Sequence, residues 1–228
     1  MVRRLALAAL LTMTAVPASA GYDDAMAAYA RGDYELAVRE FTPLAARGNA
    51  EAQSKLAFLY VKGRGVPKDD RTAIKWYRKA AKQGLAKAQY NLGVMIDRGW
   101  GVKRNHREAT KWYLKAARNG HPRAQYHLGL LYAKGQDRAR NDRKAVAWYR
   151  KAALQGYAPA QYKYGVMYAK GRGVPRDFVQ ANMWFSLAAA SGKKSAVEAR
   201  EMIEQFMSSA DVSRARTLAS NWKPAQRQ

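Results

Sequence analysis

The sequence predicts an all-α solenoid of helix–turn–helix repeats, and three residue types that recur every 36 positions support that prediction. A tryptophan, a glutamine and a glycine each return at this interval across four units. The recurring residues are Trp76, Trp112, Trp148 and Trp184; Gln53, Gln89, Gln125 and Gln161; and Gly63, Gly99, Gly135 and Gly171. A period of 20–50 residues marks supersecondary units that cannot bury their apolar faces alone, so stacked units share one core.

The first 20 residues have the pattern of a signal peptide. Arg3 and Arg4 precede an apolar stretch over 5–16, and residues 17–20 end in a small-x-small pattern. The apolar stretch is too short for a permanent bilayer span. We expect cleavage after Ala20, a mature chain that begins at Gly21, and a periplasmic or secreted location. No later segment is long and apolar enough to cross a membrane.

Residues 21–228 are expected to form a single solenoid domain with atypical ends. Residues 21–49 are interpreted as a partial repeat whose two helices are joined by a turn at 31–33. Four full repeats follow over 50–193, and residues 194–228 are predicted to form two capping helices. Atypical terminal repeats are expected because the end of a stack faces water.

The first full unit shows how each repeat folds. Residues 50–62 have apolar residues at helical spacing, and the glycine- and proline-rich segment 63–67 cannot continue a helix. An N-cap residue is then expected before the second helix, because its side chain can accept hydrogen bonds from first-turn amides. The predicted N-caps are Asp69, Asn105, Asn141 and Asp177. A glycine ends each second helix, at Gly84, Gly120, Gly156 and Gly192.

Small residues also recur in the middle of the first helix of each unit, at Ala57, Gly93, Gly129 and Gly165. Glycine inside a helix costs about 1 kcal/mol relative to alanine, so a packing reason is expected. We predict that these positions let two helices approach closely. We also predict that the Trp–Tyr pairs fill the space between units and that the tryptophan column is buried.

The charge of the chain is strongly positive, with 41 Lys and Arg against 17 Asp and Glu. Residues 55–194 carry a net charge of +24, whereas residues 21–54 carry −3. The basic character therefore belongs to the repeats, and it predicts attraction to anionic partners or surfaces. The sequence has no cysteine, so disulfide bonds do not contribute to its stability.

Basic residues form three periodic columns beside the turn between the two helices of each unit. These columns are Lys62, Arg98, Lys134 and Lys170; Lys68, Arg104, Arg140 and Arg176; and Arg71, Arg107 and Arg143. We call them together the basic edge. Cations of the first column suit a helix C-terminus, but those of the other two precede or begin a helix, where the dipole disfavours them. Two interpretations stay open, generic solvated charge and a binding edge for an anionic partner.

Trp100 departs from the repeat pattern, because its counterparts are Arg64, Gln136 and Arg172. It either folds back over its helix pair or serves as an exposed anchor within the basic edge. The segment 135–140 of the third unit lacks the second glycine and the proline of the other units.

Signatures of cofactor or metal chemistry are poor. His106, His121 and His127 are interpreted as scattered surface or rim residues, with no metal site and no His-Glu-x-x-His segment. The Gly-x-Gly pairs lack a third glycine and a preceding strand, which argues against a dinucleotide site. No cofactor is expected.

The unit sequence resembles the Sel-one-like repeat family, a relative of tetratricopeptide repeats. The resemblance is carried by residues 86–96, 99–102 and 109–120, and by their counterparts in the other units. Residues 32–37 also resemble the opening of exported bacterial members. The resemblance implies a right-handed α-solenoid that acts as a non-catalytic protein–protein adaptor, often in the bacterial envelope.

Two further classes of function are weighed against that adaptor. One is binding of anionic polymers or surfaces, such as lipopolysaccharide phosphates or nucleic acid. Export and the scarcity of aromatics within the basic edge argue against nucleic acid. The other is a β-lactamase-like hydrolase, which some cysteine-rich relatives suggest. It rests on Ser191 and Lys194 in a Ser-x-x-Lys segment whose companion motifs are absent. The adaptor, with a possible acidic protein partner, is the preferred hypothesis.

Overall fold

The computed structural model describes residues 18–135 and 139–224, which form twelve α-helices and no strand. The helices are α1 (Ala18–Arg31), α2 (Tyr34–Ala46), α3 (Ala50–Lys62), α4 (Asp70–Lys82), α5 (Ala86–Arg98), α6 (His106–Arg118), α7 (Pro122–Lys134), α8 (Asp142–Leu154), α9 (Ala158–Lys170), α10 (Phe178–Ala190), α11 (Lys194–Glu204) and α12 (Ser209–Asn221). From α1 to α11 each helix packs on the next, whereas α12 packs on α10. Contacts that run mainly between neighbouring helices are typical of a solenoid, as predicted.

The predicted helix boundaries are confirmed in all four units. The side chains of Asp69, Asn105, Asn141 and Asp177 accept hydrogen bonds from first-turn amides of α4, α6, α8 and α10. The first helix of each unit ends at a glycine in the left-handed region, with φ of 62° at Gly63 and 74° at Gly99. These caps satisfy backbone groups that a helix end leaves without partners.

In the three units that have it, the second loop glycine lets the loop contact the backbone of the preceding unit. A Cβ on Gly65 would lie 2.2 Å from the carbonyl oxygen of Tyr34, and one on Gly101 would lie 2.3 Å from that of Asp70. The loop backbone therefore rests against the start of the preceding unit's second helix, where no side chain fits. The third unit has Asp137 at this position, and residues 136–138 lie outside the described residues.

The small residues in the first helices make room for an aromatic ring, which refines the predicted close approach of helices. A Cβ on Gly129 would lie 2.4 Å from the ring of Tyr149, and one on Gly93 would lie 2.8 Å from that of Tyr113. Both tyrosines are buried. The ring of the second helix thus sits against the backbone of the first helix in the same unit.

The periodic glutamines join successive units. Gln53, Gln89, Gln125 and Gln161 are buried, and each side-chain amide donates to a backbone carbonyl eight residues earlier, at the end of the preceding helix. In three units the glutamine Oε1 also accepts a hydrogen bond, from Gln83, Asn119 or Gln155. Ser191 replaces this donor in the last unit, and Oε1 of Gln161 has no partner among the described residues.

The prediction of a buried tryptophan column is wrong for three of its four members. Trp76, Trp112 and Trp148 are half-buried, and the ammonium groups of Lys79, Lys115 and Lys151 lie 4.1, 4.5 and 4.9 Å from their ring centroids. Trp184 alone is buried, because Trp222 at the end of α12 packs edge-on against it at 6.1 Å. The tyrosines and Phe185 fill the core position predicted for the pairs.

The predicted signal peptide lies largely outside the described residues, since the structure describes the chain from residue 18. Helix α1 includes Ala20 and Gly21, so the expected cleavage site falls in its first turn. Within the described part of the chain, no helix combines the length and apolarity needed to cross a bilayer.

Candidate protein-binding site

The first helices of the units line a groove in the N-terminal half of the solenoid, which we call the inner groove. Its floor is apolar, and residues of α1, α3, α5 and α7 contribute to a pocket of about 230 Å³. The floor is formed by Phe58, Val61, Tyr77, Val94 and Met95. Polar side chains border it, namely Glu51, Lys55, Lys87, Asn91 and Arg123. An apolar surface with a few converging polar groups is typical of a binding site.

Trp100 stands at one end of the inner groove. Its side chain is 43% exposed, and the guanidinium group of Arg98 lies 6.0 Å from its ring centroid. Its backbone N–H donates to the carbonyl oxygen of Met95, which fixes the loop after α5. Trp100 is therefore exposed and does not fold back into the core, and it lies beside Arg98 of the basic edge.

Positively charged side chains outnumber negatively charged ones among the residues that border the groove. Burial lowers the pKa of Lys55, and nearby Lys87 lowers it further, whereas Glu51 opposes the shift. The Lys55 ammonium also lies 4.7 Å from the ring centroid of Tyr29. A carboxylate bound beside these two cations would oppose both effects and raise the pKa of Lys55 again.

A partly buried hydrogen bond lies in the floor of the groove. The side-chain amide of Asn91 donates to the hydroxyl oxygen of Tyr77 over 3.1 Å, which joins α5 to α4. Burial raises the pKa of Tyr77 well above its usual range, so the phenol stays neutral. The groove is therefore formed before any partner arrives.

The first column of the basic edge lies at helix C-termini, as the sequence predicts. Lys62, Arg98, Lys134 and Lys170 are the last residues of α3, α5, α7 and α9, and all four are exposed. Cations at these ends favourably meet the partial negative charge of the helix C-terminus. Helix stability alone is sufficient to explain this column.

Members of the second column have local partners that the sequence interpretation missed. Lys68 lies 3.7 Å from a carboxylate oxygen of Asp70, and Arg140 pairs with Asp142 over 2.8 Å. The guanidinium group of Arg176 lies 5.5 Å from the ring centroid of Phe178 two residues later. Part of the charge of this column is therefore neutralised or covered within the chain.

The third column is the most available for a partner. Arg71, Arg107 and Arg143 are exposed, and no described carboxylate forms an ion pair with them. The structure thus divides the basic edge into cations explained by the fold and three arginines that the fold does not explain.

His106 and His127, which were predicted to be scattered surface or rim residues, border the same cleft. His106 Nδ1 forms a hydrogen bond with Asp97, and Arg104 bonds the other ring nitrogen of His106. The hydroxyl of Tyr113 lies 3.5 Å from Asp97, and the ring of His127 lies 4.3 Å from that of Tyr113.

This cluster borders a polar cleft of about 370 Å³. Burial lowers the pKa of His127, so it is neutral at pH 7. The sequence does contain one sign of this cluster. Asp97 departs from the repeat, because the equivalent residues are Val61, Ala133 and Ala169. No group of three metal-ligating side chains occurs in the described part of the chain. His121 lies apart, stacked on Tyr90 at 4.7 Å.

The Ser-x-x-Lys segment falls at a helix junction. Ser191 caps α10, and its hydroxyl donates to the carbonyl oxygen of Leu187 over 3.3 Å, while Lys194 begins α11. A capping role therefore accounts for the serine.

A family model for the Sel1 repeat matches residues 50–85, 86–121, 122–157 and 158–193, the same four units that the sequence predicts. The chain is similar to the Sel1 repeat protein from Oxalobacter formigenes, with 36% identity and a TM-score of 0.75 over 83% of this chain and 57% of that one. It is also similar to c5321, a protective antigen of uropathogenic Escherichia coli that displays an SLR fold. That match has 31% identity and a TM-score of 0.78 over 88% of this chain and 44% of that one.

A third similar structure is the immunity protein Pa5087 from Pseudomonas aeruginosa, with 27% identity and a TM-score of 0.53. The match covers 90% of this chain and 84% of that one. By contrast, this chain spans only 57% and 44% of the lengths of the first two relatives. Comparison with the curated proteins gives no match.

Proposed function

Because the chain belongs to the Sel1 repeat family, we propose that it is a non-catalytic scaffold of the cell envelope that binds a protein partner through the inner groove. Proteins of this family generally mediate protein–protein interactions. The partner segment is acidic and carries an apolar side chain. The basic edge, and above all Arg71, Arg107 and Arg143, guides that partner to the groove through long-range attraction.

The observation that carries this proposal is the preformed groove. Its apolar floor suits an apolar side chain, and Lys55, Lys87 and Arg123 border it with positive charge. Trp100 adds an exposed aromatic anchor at the end of the groove, and aromatic residues often dominate binding energy at interfaces. A rigid site also lowers the entropic cost of binding.

The envelope location rests on the signal-peptide pattern of residues 1–20. With cleavage after Ala20, the protein reaches the periplasm or the exterior. Intact-mass measurement of the protein from its native host is expected to show Gly21 as the first residue. Recovery with Met1 or Val2 at the N-terminus would contradict the proposed location.

A second candidate function is binding of an anionic polymer or surface, such as lipopolysaccharide phosphates. The observation that favours it is the row of three exposed arginines without ion pairs among the described residues. Polyanion binding weakens steeply with salt, because bound counterions are released on association. The two candidates therefore differ in their response to ionic strength.

The experiment that distinguishes them is capture of partners from an envelope extract by the immobilised mature protein, followed by mass spectrometry. The variant Lys55→Glu, Lys87→Glu alters the inner groove, and Lys68→Glu, Arg104→Glu makes the same charge change at the basic edge. We expect one stoichiometric protein that the edge variant retains and the groove variant loses. Capture of only salt-labile anionic material would overturn the scaffold proposal.

A further inference from the structure

The half-buried tryptophans and the lysines above them form a surface that the inner groove and the basic edge do not include. We call it the Trp–Lys face, and it consists of Trp76, Lys79, Trp112, Lys115, Trp148 and Lys151. Around Trp76 the face opens into a shallow pocket lined by Lys75, Arg78 and Lys82. The same arrangement of an aromatic ring beneath an ammonium group recurs on α4, α6 and α8, the second helices of three successive units.

The positive charge of the second helices is confined to the three that carry this face. Without the arginines of the basic edge, helix α4 has four Lys and Arg and one acid, and α6 and α8 each have three Lys and Arg and one acid. Helix α10 has no charged residue, and α2 has one arginine and two glutamates. All five helices occupy equivalent places in the stack. A general preference of the fold for basic second helices therefore does not explain the difference.

In the last unit, another helix of the same chain covers the surface that is equivalent to the Trp–Lys face. Helix α12 packs on α10 and places Trp222 against Trp184. The ring of Trp222 lies 3.9 Å from where a Cβ on Gly156 would be, whereas nothing lies within 4 Å of the same point on Gly48, Gly84 or Gly120. Each of these four glycines precedes the tryptophan of the following unit by 28 residues. The space beside Gly48, Gly84 and Gly120 is therefore open, and the equivalent space beside Gly156 is filled by the ring of Trp222, which follows α12.

The residue three positions after the tryptophan also differs between the open units and the covered unit. Lys79, Lys115 and Lys151 are open to solvent, and the equivalent residue under the covering α12 is Leu187. Helix α12 itself carries two arginines and one aspartate and suits a neutral surface. A helix that covers the three open positions must instead supply carboxylates, because burial of an unpaired ammonium is costly.

We propose that the Trp–Lys face binds an acidic amphipathic helix of a partner protein, in the way that α12 covers α10. An apolar side chain of the partner packs beside Trp112 or Trp148, and its carboxylates pair with the lysines. A helix fits better than an anionic bilayer, because the rings are half-buried beneath lysines and do not protrude for insertion. The proposal concerns a second surface and does not depend on the inner groove.

The chain supplies a probe for this proposal. A labelled peptide of residues 208–224 with Arg214→Glu, Arg216→Glu and Lys223→Glu keeps the α12 pattern and Trp222 but is acidic. We expect it to bind the full chain, with affinity that falls as salt rises. We expect about tenfold weaker binding to the variant Lys79→Glu, Lys115→Glu, Lys151→Glu, since three exposed ion pairs are lost. Replacement of Trp222 in the peptide by alanine should also weaken binding.

The matched control is Lys68→Glu, Arg104→Glu, Arg176→Glu, which makes the same charge change on the basic edge and should bind like the wild type. Circular dichroism checks that each variant is folded. Acrylamide quenching gives a readout without any variant, because the bound peptide should shield the half-buried tryptophans. Equal weakening by both variants would overturn the proposal. So would binding of vesicles rich in phosphatidylglycerol together with no binding of the acidic peptide.

Discussion

Trp112 and Trp184 occupy the same place in the repeat, yet one is open and the other is buried. Trp184 is 5% exposed beneath Trp222, whereas Trp112 lies half-exposed beneath Lys115. The repeat sequence places a tryptophan in both units, but the tryptophan is buried only where another helix covers the unit. The comparison shows that a repeat sequence determines the stack, while the elements outside the repeat determine which surfaces are left available.

The largest expected effect is the loss of the covered tryptophan. Trp184→Ala removes a buried ring and also releases Trp222, so we expect destabilisation by about 3–5 kcal/mol. Trp112→Ala removes a half-buried ring, and we expect about 1–2 kcal/mol. Urea unfolding followed by circular dichroism measures both. Equal losses would mean that α12 does not make the difference between the two sites.

A second prediction compares two units at the glycine beneath the aromatic ring. Gly129→Ala places a methyl group 2.4 Å from the ring of buried Tyr149, and overpacking of this kind costs about 1–3 kcal/mol. The gain in helix propensity, about 1 kcal/mol, offsets only part of that cost. The first unit already has Ala57 opposite Tyr77, so Ala57→Gly should lose helix propensity without a packing gain. Thermal unfolding of the two variants checks both directions, and a stabilised Gly129→Ala would contradict the packing account.

A third prediction concerns the contact between the third and fourth units. Asp142 accepts two hydrogen bonds from Arg172 of the next unit, at 2.8 and 3.1 Å, and two from Arg140. These arginines hold the pKa of Asp142 well below its usual range. Asp142→Asn should therefore destabilise the protein by about 1 kcal/mol at pH 7.

The pH dependence of that effect follows from the sign of the shift. Since the folded state depresses the pKa of Asp142, its contribution to stability is complete above the ordinary carboxyl pKa of about 4 and declines as the pH falls below it. The difference in unfolding free energy between wild type and Asp142→Asn should shrink between pH 5 and pH 2.5. A difference that stays constant over this range would argue against the ion pairs as its source.

The smallest expected effect is on the basic edge. Lys68→Glu, Arg104→Glu and Arg176→Glu lie at exposed positions before a helix, where negative charge suits the dipole. The loss of the Lys68–Asp70 contact opposes that gain. We expect a change in stability of less than about 0.5 kcal/mol per site. A large loss in urea unfolding would assign the edge a structural role.

Much of the fold was predictable because the residues that begin and end the helices recur in every repeat. The caps at Asp69 and Asn105 and the left-handed glycine at Gly63 depend only on residues within one turn. The role of the buried Gln89 was not predicted, since its partner is a carbonyl in the preceding helix. The period showed that the glutamine matters, and the stacking of units shows why.

The binding surfaces were harder to predict, because they depend on residues that depart from the repeat. Asp97, His106 and His127 are not one period apart, and they line one cleft because α6 packs on both α5 and α7. Trp100 was recognised as a departure, but its place at the inner groove required the path of the loop. The exposure of Trp112 depends on where α12 packs, which no repeat position encodes.

The central claim is that a protein partner occupies the inner groove, and site-specific photo-crosslinking in the native host tests it most directly. A photoreactive residue in place of Val94 lies on the groove floor, and one in place of Arg39 lies on an exposed face of α2. We predict a single protein adduct from position 94 and none from position 39. Adducts of equal yield and identity from both positions, or none from position 94, would contradict the claim.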